Sequence, residues 1–401
     1  MTRHTSRTES TFPPPIPAAQ RWLEGVTFPP ERPLINVSQA APVEAPPEPL
    51  RRAMAGMLDD PSTHLYGPVL GLPALRERLA EHWSAHYGGR IGAESVAITA
   101  GCNQAFAATL AAICTEGDEV LLPTPWYFNN KMWLDMQGVT AVPLGTDDEM
   151  IPRPETARAL IGPRTRAIVL VSPNNPCGTE YPAEVLHGFH DLAREAGLKL
   201  IVDETYKDFD SRPGAPHDLL KREGHDETLV QLYSFSKAYR LTGHRVGAVI
   251  GAPGLLAEIE KFQDTVQICA PQLGQRAALW GLENLAQWVA GERAEILDRR
   301  AAIAEGMALI EPRGWRLRGL GAFFAYLEHP FAEGASTLAP RLVREAGVMA
   351  LPATMFVPED DASGERCLRL AFANVDRATI GQLFERLAAL DWPLAGDPRP
   401  A

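Results

Sequence analysis

Between residues 96 and 250 the sequence repeats one pattern, a short run that is apolar throughout followed by a longer stretch of helical periodicity. The runs are Val96–Thr99, Val120–Leu122, Ala167–Val171, Leu198–Val202, Leu229–Tyr233 and Val246–Ile250. A strand with one face in water alternates apolar with polar residues, so a run that does not alternate needs cover on both faces. Helical patterns such as Ala105–Cys114 and Ala183–Ala196 lie between the runs. Pro73 suits a first helical position, with Leu75, Leu79 and Trp83 following at helical spacing. These features predict α/β architecture, a large domain with a mainly parallel sheet covered by helices.

The pattern fades after about residue 255. A helical stretch with Leu279, Leu282, Leu285, Trp288 and Val289 on one face follows, then strand candidates Trp315–Leu317, Phe323–Leu327 and Leu368–Phe372. With 401 residues the chain exceeds one ordinary domain. We expect a proline-rich arm over 1–49, a large domain over 50–280 and a smaller α+β domain over 281–401, built from the C-terminal part together with the arm. Pro13, Pro14, Pro15, Pro17, Pro42, Pro46, Pro47 and Pro49 predict an extended arm rather than packed secondary structure. The start, MTRHTSRTES, lacks the apolar core of a secretory signal and reads as a disordered tail.

A net charge of −12 repels polyanions, which argues against a nucleic-acid partner. No apolar run is long enough to span a membrane. The five cysteines, Cys102, Cys114, Cys177, Cys269 and Cys367, are scattered and never form a C-x-x-C pair. That spacing fits a reducing cytoplasm better than a disulfide framework or a zinc site. His82 and His86, and likewise His187 and His190, lack the acidic residue that completes H-E-x-x-H and read as surface histidines.

The most informative segment is Ser234-Phe-Ser-Lys237, with Arg245 eight residues further on. It follows a predicted strand, and ligands of open α/β sheets bind beyond the carboxyl ends of strands. Arg245 can clamp a phosphate bidentately, and Ser234 offers a hydroxyl to the same anion. Asp203-Glu-Thr-Tyr206 ends another predicted strand. A cofactor carrying a phosphate, an aldehyde and a ring nitrogen would use all these groups, with Asp203 keeping the nitrogen protonated.

This constellation resembles the signature of the fold-type I, aspartate-aminotransferase-like enzymes that depend on pyridoxal 5'-phosphate. The likeness implies that Lys237 holds the cofactor as a Schiff base and then moves the substrate proton. It implies that Asp203 pairs with the ring nitrogen, that Tyr206 bonds the phenolic oxygen, and that Ser234 and Arg245 hold the phosphate. Ser172-Pro-Asn-Asn175-Pro-Cys-Gly is similar to the family's Asn-Pro-x-Gly turn, so Asn175 is expected at the phenolic oxygen and near the substrate carboxylate. Ala100-Gly-Cys102-Asn103 opens a helix, whose free N–H groups would bind the phosphate. In Pro123-Thr-Pro-Trp126-Tyr127, Tyr127 is expected to stack on the ring, with Trp126 as the adjacent alternative. Tyr66 lies in a segment resembling the one that reaches the phosphate of a neighbouring subunit, which implies a homodimer with shared sites. Arg369, in Cys367-Leu-Arg369-Leu-Ala-Phe, is expected to bind the substrate α-carboxylate.

Two positions depart from the family pattern. Ala40 stands where a glycine near the substrate carboxylate is frequent, and Ala353 follows Pro352 where Pro-Gly is usual. The extra methyl groups bear on the substrate rather than the cofactor. The resemblance implies transfer of an amino group from an L-amino acid, neutral or aromatic, to a 2-oxo acid. A C–S β-lyase or other lyase on the same framework is the alternative. Ser234-x-x-Lys237 also matches the S-x-x-K of serine acyl-enzymes, but the S-D-N and K-T-G strings that such enzymes need are absent. Read singly, Lys237 would be an ordinary surface lysine, Asp203 a helix cap and Arg369 half of an ion pair.

Overall fold

The computed structural model describes residues 6–396. Strand β1 (Ile35–Asn36) is followed by seven strands of one sheet: β2 (Val96–Thr99), β3 (Glu119–Thr124), β4 (Thr140–Gly145), β5 (Thr165–Val171), β6 (Lys199–Asp203), β7 (Leu229–Ser234) and β8 (Gly247–Ile250). Their order is β2-β8-β7-β6-β5-β3-β4. β8 runs antiparallel to both neighbours, and the other pairings are parallel. The unbroken apolar runs are explained by two cores. Along β5, Ile168 and Leu170 enter one core and Val169 the other; along β6, Leu200 and Val202 flank Ile201 in the same way. Alternation continues, but both faces are apolar.

β4 was not visible as an apolar run. It is one edge of the sheet, five of its six residues are exposed or part-exposed, and Pro143 sits within it, as an edge strand allows.

The helix Gln272–Asn284 and the 25-residue helix Ala286–Ile310 lead into the smaller unit. There β9 (Arg316–Gly321), β10 (Phe324–Glu328), β11 (Val348–Met349), β12 (Leu351–Pro352) and β13 (Cys367–Ala371) follow. β12-β13-β10-β9 form an antiparallel sheet, while β11 pairs in parallel with β1. The N-terminal segment is thereby joined to the C-terminal unit.

The arm differs from the extended chain expected of it. Pro15 begins a helix, Pro15–Gln20, because its fixed φ is already helical and its missing N–H is not needed there. Ile16, Ala19, Trp22 and Phe28 pack against Phe128, Met349 and Phe356. Of the tail, residues 1–5 lie outside the described residues. Arg7–Ser10 form a single turn, and Arg7 pairs with Glu116 at 2.5 Å.

Candidate active site

Three adjacent parallel strands end side by side: β5 runs into Ser172–Asn175, β6 ends at Asp203 and β7 ends at Ser234. The helix Cys102–Ile113 begins at the same edge. A pocket of ≈ 160 Å³ lies among them, lined by Cys102, Asn103, Tyr127, Asn175, Asp203, Tyr206, Ser234, Lys237 and Arg245. Thr205 and Ser236 also line it. The sequence reading passed over these two, although both lie within the quoted motifs.

One end of the pocket suits an anion. Cys102 and Asn103 are the first residues of a 12-residue helix, where backbone N–H groups have no intrahelical acceptor. Arg245 lies across the turn that precedes them, bonding the Ala100 and Thr242 carbonyls. Two glycines make that approach possible. A Cβ on Gly101, whose φ is +83°, would meet the Arg245 guanidinium at 2.2 Å; one on Gly247 would meet the Cys102 backbone nitrogen at 2.7 Å. Ser234 Oγ accepts the N–H of Ser236 at 3.2 Å, which fixes the short helix carrying Lys237. No bond joins Ser234 to Lys237, and the acyl-enzyme arrangement has no support here.

The other end holds a buried carboxylate. Asp203 accepts the Thr205 N–H at 2.9 Å and the Cys102 thiol at 3.6 Å. Burial pushes its pKa up, against the lowering effect of these donors. Burial, then the Asp203 charge, holds the Cys102 thiol well above its ordinary range, so it stays a neutral donor.

Between the two ends lies Lys237. Its Nζ donates to the Ala40 carbonyl at 2.7 Å and stands 5.7 Å from the Tyr206 ring centroid. Burial, with repulsion from Arg245 and Arg369, pushes its pKa down to about 8. An amine so placed is partly neutral near neutrality. Tyr206 is buried edge-on against Phe323 and Phe324, and burial raises its pKa. The Tyr127 hydroxyl accepts from Asn129 at 2.8 Å and reaches Asn103 at 3.5 Å, whereas Trp126 turns into the core beneath the sheet.

Arg369 comes from β13 and is 2% exposed. It donates to Asn175 Oδ1 at 3.1 Å and to the Ser38 carbonyl, and its Nε has no partner. The guanidinium carbon is 5.3 Å from the Phe324 ring centroid and 4.9 Å from that of Phe356. Burial pushes its pKa down to about 10. Ala353 is buried with Cys177, Tyr326 and Cys367. Tyr66 stands apart from the pocket, 79% exposed beside Leu65 and Cys269. The histidines differ from expectation: His190 is fully buried, and His82 and His86 are half-buried, their rings stacked at 6.3 Å.

Comparisons with known proteins agree with this geometry. The family model for aminotransferase class I and II matches residues 32–387. The aromatic aminotransferase ISS1 of Arabidopsis thaliana is 30% identical over 318 residues, 77% of this chain and 78% of that protein. The aspartate/prephenate aminotransferase of Thermus thermophilus is 30% identical over 363 residues, 88% of this chain and 90% of that one. Among solved structures, the Thermus thermophilus aspartate aminotransferase with maleate superposes with a TM-score of 0.86 at 28% identity, over 97% of this chain and 99% of that chain.

Proposed function

Because the chain belongs to the class I and II aminotransferases, pyridoxal-phosphate enzymes that move an amino group from an amino acid to a 2-oxo acid, we propose that its pocket accepts a neutral or aromatic L-amino acid as donor. The observation that carries this reading is the shortage of positive charge. Lys237 and Arg245 are the basic side chains lining the pocket, and Arg369 reaches it through Asn175. With Arg245 committed to the phosphate and Arg369 to the α-carboxylate, no cation among this chain's own described lining residues is left for a second carboxylate, which only a residue of a partner subunit could then meet. The aromatic surroundings of Arg369 support the same reading.

The residues fit the cofactor. An anion end and a buried carboxylate end face each other across an amine of lowered pKa, and two glycines leave no room for Cβ atoms at the anion end. In this reading Cys102 and Asn103 (through their amides), Ser234 and Arg245 hold the phosphate. Asp203 holds a proton on the ring nitrogen, and the burial that raises its pKa strengthens its attraction for that cation. Tyr206 and Asn175 donate to the phenolic oxygen, and Tyr127 stacks on the ring. Pyridoxal phosphate, when bound, supplies the electron sink that weakens the Cα–H bond. Lys237 takes the Cα proton at Nζ; Arg369 and Asn175 fix the α-carboxylate, with Ala40 beside them. The raised pKa of Tyr206 keeps its hydroxyl proton available as a donor.

The division into arm (1–49), large domain (50–280) and small domain (281–401) belongs to the same reading. So does a homodimer in which Tyr66 serves the partner's phosphate; the exposed Leu65, Tyr66, Val266 and Ile268 support it. Five free cysteines support a cytoplasmic setting. Among the described residues, no helix is long and apolar enough to cross a membrane.

The test is the visible spectrum of the cofactor-loaded protein. A yellow form absent from Lys237→Ala, bleached by a neutral or aromatic amino acid without any keto acid, is the expected result. Bleaching by acidic amino acids alone overturns the donor class. Persistent colour with release of ammonia and a keto acid makes the chain a lyase.

A further inference from the structure

Residues 38–44 form a strap whose backbone touches both functional cations. The Ser38 carbonyl accepts from Arg369, and the Ala40 carbonyl accepts Lys237 Nζ at 2.7 Å. Beyond the buried Ser38, apolar packing on this strap is confined to the part-buried Ala40. From Gln39 to Glu44 no residue is buried, and Val43 is 77% exposed. The strap borders a cavity of ≈ 550 Å³, lined in part by Gln39, Glu44, Arg240 and Glu292. So little packing leaves the stretch that carries the Ala40 carbonyl to be fixed by polar contacts.

Two side chains supply them. Asn374, in the turn after β13, donates through Nδ2 to the Gln39 carbonyl at 3.0 Å and the Ala41 carbonyl at 2.7 Å. Its Oδ1 accepts the Val43 N–H at 3.2 Å. Ala40 is thus bracketed by bonds to the residues on both sides. At the far end, Glu44 pairs with Arg240. Arg240 in turn bonds Glu292 of the helix Ala286–Ile310 at 2.9 and 3.0 Å and lies over Trp288 at 5.5 Å. Its φ is +53°, an uncommon conformation for a side-chain-bearing residue that surrounding contacts must enforce. Its own N–H closes the turn carrying Lys237, donating to the Lys237 carbonyl at 3.2 Å.

We propose that Asn374 and Arg240 are positioning residues: Asn374 anchors the 38–44 strap along residues 39–43 and Arg240 anchors it at Glu44, so that the Ala40 carbonyl holds the free amine of Lys237 in place between proton transfers. This rests on the amino-transfer reading, because it concerns the same lysine. Arg240 ties three parts of the chain at one point, the lysine turn, the strap and the long helix of the small unit. Movement of that helix is thereby coupled to the carbonyl facing Lys237.

The test uses the full chain without cofactor. The midpoint at which Lys237 loses its proton is read from competitive acetylation against pH, followed by mass spectrometry of its peptide. A carbonyl acceptor favours the ammonium, so loss of a fixed Ala40 carbonyl lowers the midpoint. In Asn374→Ala the midpoint should fall by roughly one unit. In Glu44→Gln, a change at a side chain that is 64% exposed, it should fall less but in the same direction. Arg245 and Arg369, which repel the ammonium, and Asp203, which attracts it, are unchanged in both variants, as are Cys102 and Tyr206. With cofactor restored, the single-turnover rate with the amino donor should fall about tenfold in Asn374→Ala, with donor affinity changed much less. An unaltered midpoint in both variants overturns the proposal, as does an unaltered midpoint with lower thermal stability alone. If Asn374→Ala does not fold, the Glu44→Gln midpoint decides. Because the midpoint is measured without cofactor, failure of the amino-transfer reading appears in the wild-type spectrum and leaves this measurement intact.

Discussion

The substitution Gly247→Ala puts the assigned phosphate end under direct strain. Gly247 opens β8 directly beside the Gly101–Cys102 turn. A methyl group there would sit 2.6 Å from the Gly101 carbonyl carbon and 2.7 Å from the Cys102 nitrogen. Non-bonded carbon contacts settle at about 3.5 Å, so strand and turn must separate by roughly 0.9 Å. Neither contact is a side-chain end that could swing aside; both are backbone. Overpacking of this kind costs about 1–3 kcal/mol. If the turn gives way, the amides of Cys102 and Asn103 move off the phosphate and cofactor affinity falls about 5- to 150-fold. The assay is titration of the cofactor-free protein with pyridoxal phosphate, followed by absorbance. Gly251→Ala, just beyond the other end of β8, is the control: its methyl would meet Leu255 at 3.5 Å and Val230 at 3.8 Å, ordinary contacts. The control should bind as wild type does. Wild-type affinity in Gly247→Ala would refute the assignment of the phosphate to this turn.

Three further outcomes follow from the site. Arg369→Lys replaces a two-pronged donor by a point charge, so steady-state kinetics should show KM for the amino donor rising about 10- to 100-fold. Tyr87→Phe removes the 2.5 Å donor to the fully buried Glu204, which also accepts from His217 at 3.0 Å and from Gln231; a denaturant midpoint should report a loss of about 1–3 kcal/mol. Lys237→Met should raise the melting temperature of the cofactor-free chain. The folded-state pKa of Lys237 is lowered to about 8, so below that pH the wild type carries a buried ammonium that folding disfavours. Between there and the ordinary lysine range the unfolded chain binds more protons, and the wild type regains stability. The advantage of the variant should therefore be full below about pH 8 and vanish towards high pH, and melting curves across that range check it.

The sheet was legible because six strands serve two cores. Ile168, Val169 and Leu170 had to be apolar together, and that leaves a mark that alternation does not. β4 left none, since an edge strand with Pro143 buries only one of its six residues. The arm misled because proline has two meanings: it stiffens open chain, and it also starts helices, as Pro15 does. Around the pocket, Asp203, Ser234, Lys237 and Arg245 were readable because their side chains line it and each stands in a short local motif. The Ser38 and Ala40 carbonyls were not, since any residue carries a carbonyl. Nor was Glu204, whose partners Tyr87 and His217 lie 117 residues before it and 13 after it. The ring neighbours of Arg369 come from positions 324 and 356, and no motif marks either.

Those two rings bear on how strongly the guanidinium attracts an anion. Phe324 and Phe356 stand with centroids 5.3 and 4.9 Å away, and neither offers the buried Nε an acceptor, so it is left without a partner. A cation in such company has little water to screen it, and a carboxylate that reaches it meets a stronger field than it would at the surface. A ligand that brings no negative charge there leaves the guanidinium uncompensated, and its binding is the weaker for it.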